Sequence, residues 1–146
     1  MKLDKIKLKN FRCYNNEMEF IIDDLTCIIG KNDIGKSTIL EALDAFFNDS
    51  IDIGDLSSNG DSKTIEITCY FSGIPENIIL DTTVETSPIE EGILNSESQL
   101  EIIRRYTIGA TVSKSIFLNC YYPENPELLD LLSLKNDSLK SKVINF

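Results

Sequence analysis

The residues with the clearest capacity for chemistry lie at positions 28–38, which read IIGKNDIGKST. Gly30, Gly35, Lys36 and Ser37 have the spacing of a P-loop, in which two glycines precede a lysine and a hydroxyl. The backbone N–H groups of such a loop, together with the positive end of the following helix, can solvate the oxygens of a polyphosphate. The stretch therefore predicts a site for the phosphates of a nucleotide.

The motif assigns a role to each of its residues. Gly30 permits a sharp exit from the preceding strand, and Gly35 lets the backbone approach the phosphates closely. Lys36 is the predicted catalytic residue, because its ammonium group would reach the β- and γ-phosphates. Ser37 would place its hydroxyl on Mg²⁺, and Thr38 would donate to the α-phosphate.

Two residues inside the loop are unusual for a phosphate site. Asp33 adds a carboxylate to an anion-binding loop, and Ile34 adds bulk where such loops often have Gly, Ser or Ala. A carboxylate disfavours polyphosphate unless it points away or meets a cation. We therefore expect Asp33 to face solvent or a partner subunit.

The segments on either side of the loop are predicted to position it. Residues 25–29, LTCII, form a short continuous apolar run, which is typical of a strand buried on both faces. Residues 37–47 are predicted to form a helix that packs against a sheet. Its apolar stripe consists of Ile39, Leu40, Leu43, Phe46 and Phe47.

The remainder of the chain favours antiparallel strands followed by short helices. The predicted strands cover residues 5–11, 17–22, 64–71, 78–85, 100–108 and 115–122. Residues 48–62 are predicted to be an exposed loop, and helical spacing recurs at 127–134 and 137–146. The predicted fold class is α/β: a strand, P-loop and helix core, an antiparallel β-meander and short C-terminal helices. We predict one domain over 1–146, with a P-loop core at 1–49, a β-rich lobe at 50–122 and a helical segment at 123–146.

Composition limits the possible functions. The chain has 146 residues and no histidine, which excludes Ser-His-Asp and Cys-His catalysis. Its four cysteines form no CxxC pair, so buried free thiols are expected rather than disulfides or a zinc site. No apolar run is long enough to cross a bilayer, and the N-terminus does not read as a signal peptide. A soluble, cytoplasmic protein without a membrane partner is therefore expected.

The charge is distributed unevenly. The net charge is −10, yet residues 1–12 carry four lysines and one arginine against a single aspartate. An acidic body does not suit a protein that coats DNA indiscriminately. Any contact with nucleic acid is expected to be local, or to come from regions outside this chain.

Two stretches together resemble the N-terminus of RecF/SMC-type ABC ATPases, and most closely the overcoming-lysogenisation-defect (OLD) branch. They are IKLKNFRCY at residues 6–14 and IIGKNDIGKSTILEAL at residues 28–43, and the resemblance covers roughly residues 3–47. It implies that Arg12 lies close to the nucleotide and that Asn32 sits at the loop tip.

The resemblance also implies an activity and partners. ATP and Mg²⁺ would bind at the loop, and the chain has no NKxD element for guanine, which favours adenine. The full-length protein would be an ATPase that dimerises through its ATP site. It would act in a DNA transaction, in anti-phage defence or repair, with a nuclease effector outside this chain.

Hydrolysis in that family needs a Walker B acidic pair, a glutamine in the Q-loop and a signature motif, and none is recognisable here. Asp81 ends a Walker-B-like run but is followed by Thr82, residues 56–60 only faintly echo the signature, and Gln99 lies in a Ser/Glu-rich turn. We therefore expect the chain to be an N-terminal segment of a longer ATPase.

Two other functions remain open from the residues. One is a self-contained P-loop phosphotransferase in which Asp81 organises the metal, with Arg104 and Arg105 as a thin candidate for an arginine lid. The other is a non-catalytic interaction module that keeps the loop as structure only. Phosphate transfer sensitive to Asp81→Asn would favour the first, and absence of affinity for millimolar ATP would favour the second.

Overall fold

The computed structural model describes residues 1–31, 35–60, 62–81, 84–121, 124–125, 129, 131 and 134–144. The strands are β1 (Lys2–Lys9), β2 (Met18–Ile21), β3 (Thr64–Ser72), β4 (Ile78–Asp81), β5 (Val84–Thr86), β6 (Leu100–Ile108) and β7 (Val112–Asn119). The helices are α1 (Lys36–Asn48) and α2 (Asn136–Ile144), and a short 3₁₀ turn covers Ile53–Asp55.

Five strands form one sheet in the order β2-β1-β3-β6-β7, and every pairing in it is antiparallel. This confirms the predicted meander, and β6 has the predicted bounds. The predicted single strand at 78–85 is wrong, because β4 and β5 pair with each other in a separate two-stranded sheet. Asp81 ends β4, and aspartate is disfavoured inside a continuous strand.

Helix α1 covers one face of the sheet and forms the core with it. Ile39, Ala42, Ala45 and Phe46 are buried, whereas Leu40 is 65% exposed and Phe47 57% exposed. The predicted helix is therefore confirmed, but its buried stripe is wrong at two positions, because Ala42 and Ala45 are buried in place of Leu40 and Phe47. The sheet contributes the other buried core residues: Ile6, Leu8, Ile65, Ile67, Cys69, Phe71, Tyr106 and Ile108.

The predicted buried strand at residues 25–29 is wrong. The segment has no regular secondary structure, and Leu25 and Ile29 are 90% and 88% exposed. It follows β2, an edge strand that pairs only with β1, so no described strand is placed to pair with it. The segment and β2 border an open, mostly apolar groove of about 530 Å³ that extends to Gly30 and Lys36.

The cysteines are free thiols, as predicted, but they are not all buried. Cys69 is buried, and burial raises its pKa to about 12. Cys13 and Cys27 are exposed, because the first lies in a turn and the second in the unpaired segment.

The C-terminal helix prediction is confirmed for α2, whereas the predicted helix at 127–134 lies mostly outside the described residues. No helix in the described part of the chain is long and apolar enough to cross a membrane.

Asp49 connects the C-terminal end of α1 to strands β6 and β7. It has a left-handed backbone with φ of 58°, and its N–H donates to the carbonyl of Ala45 at 3.0 Å. Lys114 Nζ lies 2.6 Å from its Oδ2, and Arg104 contacts its Oδ1. The hydrogen bond from Lys114, assisted by Arg104, lowers the pKa of Asp49 below its ordinary value of 3.8.

Asp49→Asn is expected to remove part of the acid sensitivity of the fold. A carboxyl whose pKa is lowered on folding stabilises the protein above its unfolded pKa, and this contribution disappears as the pH falls through the folded pKa. Asparagine tolerates the left-handed backbone but carries no charge. The melting temperature of the wild type should exceed that of the variant at pH 7, by a margin that shrinks below about pH 4. Asp23→Asn, in an exposed turn, is the control, and a constant margin down to pH 3 would contradict the assignment.

Candidate nucleotide-binding site

Lys36 is the first residue of α1, and its side chain folds back toward the start of the glycine loop. Its Nζ donates to the carbonyl oxygen of Gly30 at 2.6 Å and also to that of Lys31. The ammonium group is thus held at the first glycine of the motif. The loop tip, Asn32, Asp33 and Ile34, lies outside the described residues, so the roles assigned to these three residues stay predictions.

The N-terminus of α1 is open to an anion. Gly35 precedes it in a left-handed conformation, with φ of 82°. Among the described residues, no side chain caps the start of the helix, and its first turn contains no acidic residue. The N–H groups of a helical first turn lack partners within the helix and carry a partial positive charge. Ser37 is exposed on this turn, whereas Thr38 is buried.

The turn between β1 and β2 packs against the loop. Tyr14 Oη donates to the carbonyl of Gly35 at 3.1 Å, and Cys13 Sγ lies 3.8 Å from Thr38 Oγ1. A Cβ on Gly35 would lie 2.5 Å from Cys13 Sγ, so this glycine is required for close packing as well as for its positive φ. Burial raises the pKa of Tyr14, which keeps its hydroxyl protonated and able to donate.

Arg12 also belongs to the turn between β1 and β2, and it lies beside α1. Its N–H donates to the carbonyl of Asp55 at 2.7 Å, its Nε donates to Asp55 Oδ1 at 2.7 Å, and its Nη1 contacts Glu41. Sequence reasoning singled out Arg12 but missed Cys13, Tyr14, Glu41 and Asp55. Cys13 and Tyr14 follow Arg12 directly in the quoted motif, whereas no local pattern marks Asp55.

Asn10 connects the turn between β1 and β2 to the segment that leads into β3. It is completely buried, and its Nδ2 donates to Ser62 Oγ at 2.7 Å and to the carbonyl of Thr64 at 3.2 Å. Its carbonyl accepts from the N–H of Ser57 at 3.0 Å. A Cβ on Gly60 would lie 2.0 Å from Asn10 Oδ1. Residues 56–60 are therefore a loop and not a signature motif, as predicted. The prediction that residues 48–62 are exposed throughout is wrong, because Asp55 and Ser57 are buried where this loop packs against Asn10 and Arg12.

The other residues considered for catalysis lie elsewhere in the fold. Asp81 belongs to the β4–β5 hairpin, apart from the five-stranded sheet. Gln99 Nε2 donates to Asp4 Oδ2 at 2.9 Å. Arg104 and Arg105 lie on β6, where they pair with Asp49 and Glu66. Within the described ranges, no group of three or more His, Cys, Asp or Glu residues could hold a metal ion.

The fold is that of the N-terminal lobe of an ABC-type ATPase head. The SMC head domain from Thermotoga maritima has this fold, with a TM-score of 0.54 over 89% of this chain and 41% of that chain, at 18% identity. The profile of the AAA ATPase domain family matches residues 1–146, and the chain belongs to this family.

Two relatives place the chain within this class. It is 26% identical over 142 residues to the DNA double-strand break repair Rad50 ATPase of Methanococcus maripaludis, over 92% of this chain. It is 37% identical over 76 residues to the OLD nuclease of Thermus scotoductus, over 47% of this chain. In both cases the match spans 14% of the relative's length. The resemblance to OLD/RecF/SMC-type ATPases is confirmed.

Proposed function

We propose that this chain is the ATP-binding lobe of an ATPase that couples ATP binding and hydrolysis to a DNA transaction. The observation that carries the proposal is the pairing of Lys36 with an uncapped helix start. The Lys36 ammonium group, held at the carbonyl of Gly30, and the N–H groups of the first turn of α1 lie at the two ends of the glycine loop. Such an arrangement binds the phosphate oxygens of a nucleotide through charge and through hydrogen bonds.

The described residues fit ATP and Mg²⁺. Gly30 and Gly35 would cradle the phosphates, Lys36 would bind the β- and γ-phosphates, and Thr38 the α-phosphate. Ser37, whose side chain is exposed on the first turn, would hold Mg²⁺. The metal supplies positive charge that offsets the phosphates. Arg12, Asn32, Asp33 and Ile34 complete the proposed set of nucleotide contacts.

The wider function is proposed from the relatives. Rad50 is named for DNA double-strand break repair and the OLD relative is named as a nuclease. We infer that the full-length protein acts on DNA in repair or anti-phage defence, with a nuclease effector outside this chain. It would hydrolyse ATP as a homodimer that closes through the ATP site, and it would be cytoplasmic.

Protection of Cys13 tests whether nucleotide occupies this site. The Cys13 thiol is exposed and touches Thr38, so a nucleotide on the loop should cover it. We expect saturating Mg-ATP to slow its alkylation by N-ethylmaleimide at least fivefold, measured peptide by peptide by mass spectrometry. Cys120, in the segment that follows β7, provides the internal control and should react at an unchanged rate. Equal labelling of Cys13 with and without Mg-ATP would count against the proposed site.

A further inference from the structure

Arg12 pairs with two carboxylates, Asp55 and Glu41, which differ in exposure and in their other hydrogen bonds. The Asp55 side chain is 10% exposed, and its second oxygen accepts from the N–H of Asp52 at 2.8 Å. The Glu41 side chain is 42% exposed. In the part of the chain that the structure describes, Arg12 is its only hydrogen-bond or ion-pair partner. Asp55 is therefore fixed to the protein, whereas Arg12 is the one described residue that holds Glu41.

This arrangement lies next to the phosphate site. Glu41 follows Ser37 by one helical turn, a rise of about 6 Å along the axis of α1. The two residues after Arg12 reach the loop directly, because Tyr14 donates to Gly35 and Cys13 contacts Thr38. The guanidinium group is thus placed beside the first two turns of the helix whose N-terminus faces the phosphates.

We propose that Glu41 is a displaceable counter-anion of Arg12. Without nucleotide, the Glu41 carboxylate pairs with the Arg12 guanidinium group. When a nucleotide binds, a phosphate oxygen replaces Glu41 in this pair. This inference rests on the proposed function and adds a determinant of ligand choice to the same site. Glu41 is the carboxylate that leaves, because Asp55 is buried and anchored through Asp52.

The charges around Arg12 determine whether Glu41 strengthens or weakens the binding of an anion. One guanidinium group between two carboxylates has a net charge of −1, which repels an approaching anion. A free phosphate ion competes poorly against a carboxylate that is already in place. A polyphosphate held by Lys36 has a high local concentration at Arg12 and can displace Glu41. Glu41 thus weakens the binding of small anions more than it weakens the binding of a nucleotide with several phosphates.

Glu41→Gln tests this proposal by the direction of the change. Glutamine keeps the shape and an acceptor oxygen but removes the negative charge. We expect the Kd for Mg-ATP, measured by calorimetry in 50 mM NaCl, to fall about two- to fivefold, which is the range of an exposed ion pair. The gain should shrink in 500 mM NaCl, where charges are screened. A merely structural role for Glu41 predicts weaker binding or no change.

Two controls isolate the pair. Asp44→Asn removes an exposed carboxylate from the same helix, one whose hydrogen-bond partners are Asn48 and Ser50, and should leave the Kd unchanged. In an Arg12→Ala background, Glu41→Gln should tighten binding less than it does in the wild type, since competition for the guanidinium group is gone and only charge repulsion remains. Should Glu41→Gln fail to fold, as judged by circular dichroism, Glu41→Ala is tested with the same expectation.

The outcomes separate this proposal from the proposed function. An equal gain in Asp44→Asn, an equal gain without Arg12, or weaker or unchanged binding by Glu41→Gln would overturn the counter-anion role while the ATP site stands. Wild-type protein that binds no Mg-ATP at millimolar concentration would overturn both.

Discussion

Lys36→Ala is expected to lower the affinity for Mg-ATP by about 100-fold, as measured by calorimetry. The substitution removes an ammonium group that the structure holds at the mouth of the loop, 2.6 Å from the carbonyl of Gly30. Hydrogen bonds to charged groups contribute up to about 3 kcal/mol, and a loss of that size corresponds to about two orders of magnitude in Kd.

The control for this prediction is Lys63→Ala, which removes the same charge from an exposed position just before β3. Its Kd should stay within about twofold of the wild type, because an exposed charge that makes no contact with the ligand is screened. The melting temperature of Lys36→Ala should also be unchanged, since its partners are backbone carbonyls in an exposed segment. Full affinity in Lys36→Ala would remove the phosphate site from consideration.

Gly60→Ala is expected to lower the free energy of unfolding by about 2–3 kcal/mol. The added Cβ would lie 2.0 Å from Asn10 Oδ1, and Asn10 is completely buried. Asn10 cannot move away without breaking its hydrogen bonds to Ser62 and Thr64. In a chain of this size the melting temperature should fall by roughly 4–12 °C, followed by circular dichroism.

Gly54→Ala is the matched control, because nothing lies within 4 Å of a Cβ built at Gly54. This variant should melt within about 2 °C of the wild type, as expected for a substitution that meets no neighbour. If the two variants lose equal stability, the effect belongs to the backbone freedom of glycine and not to the contact with Asn10.

Local sequence patterns predicted those strands and helices in which buried and exposed side chains recur at a regular spacing. The alternation in residues 5–11 indicated β1, and the β-branched run of β6 gave its bounds, because a strand with one buried face has a period of two. The helical spacing after Gly35 likewise indicated α1. The spacing of Gly30, Gly35, Lys36 and Ser37 located the candidate site, because the motif is continuous in sequence.

The failures have a physical cause in long-range packing. The apolar run at residues 25–29 indicates that its side chains favour burial, but not which element would cover them. Leu40 and Phe47 were placed in the buried stripe because periodicity does not tell how far the sheet extends under a helix. The pairing of Arg12 with Asp55 could not be predicted from local sequence either, because the two residues lie 43 positions apart.

The order of the strands bears on how the molecule folds. Lys2 pairs with Ser72 and Lys9 with Glu66, so the glycine loop and α1 both lie inside the loop that the β1–β3 pairing closes. Closing so long a loop is slow, because chain entropy is lost before the contacts can form. Arg12 and Asp55 meet only once the two strands have found their register. We therefore expect the Arg12–Asp55 contact beside the candidate site to form late in folding.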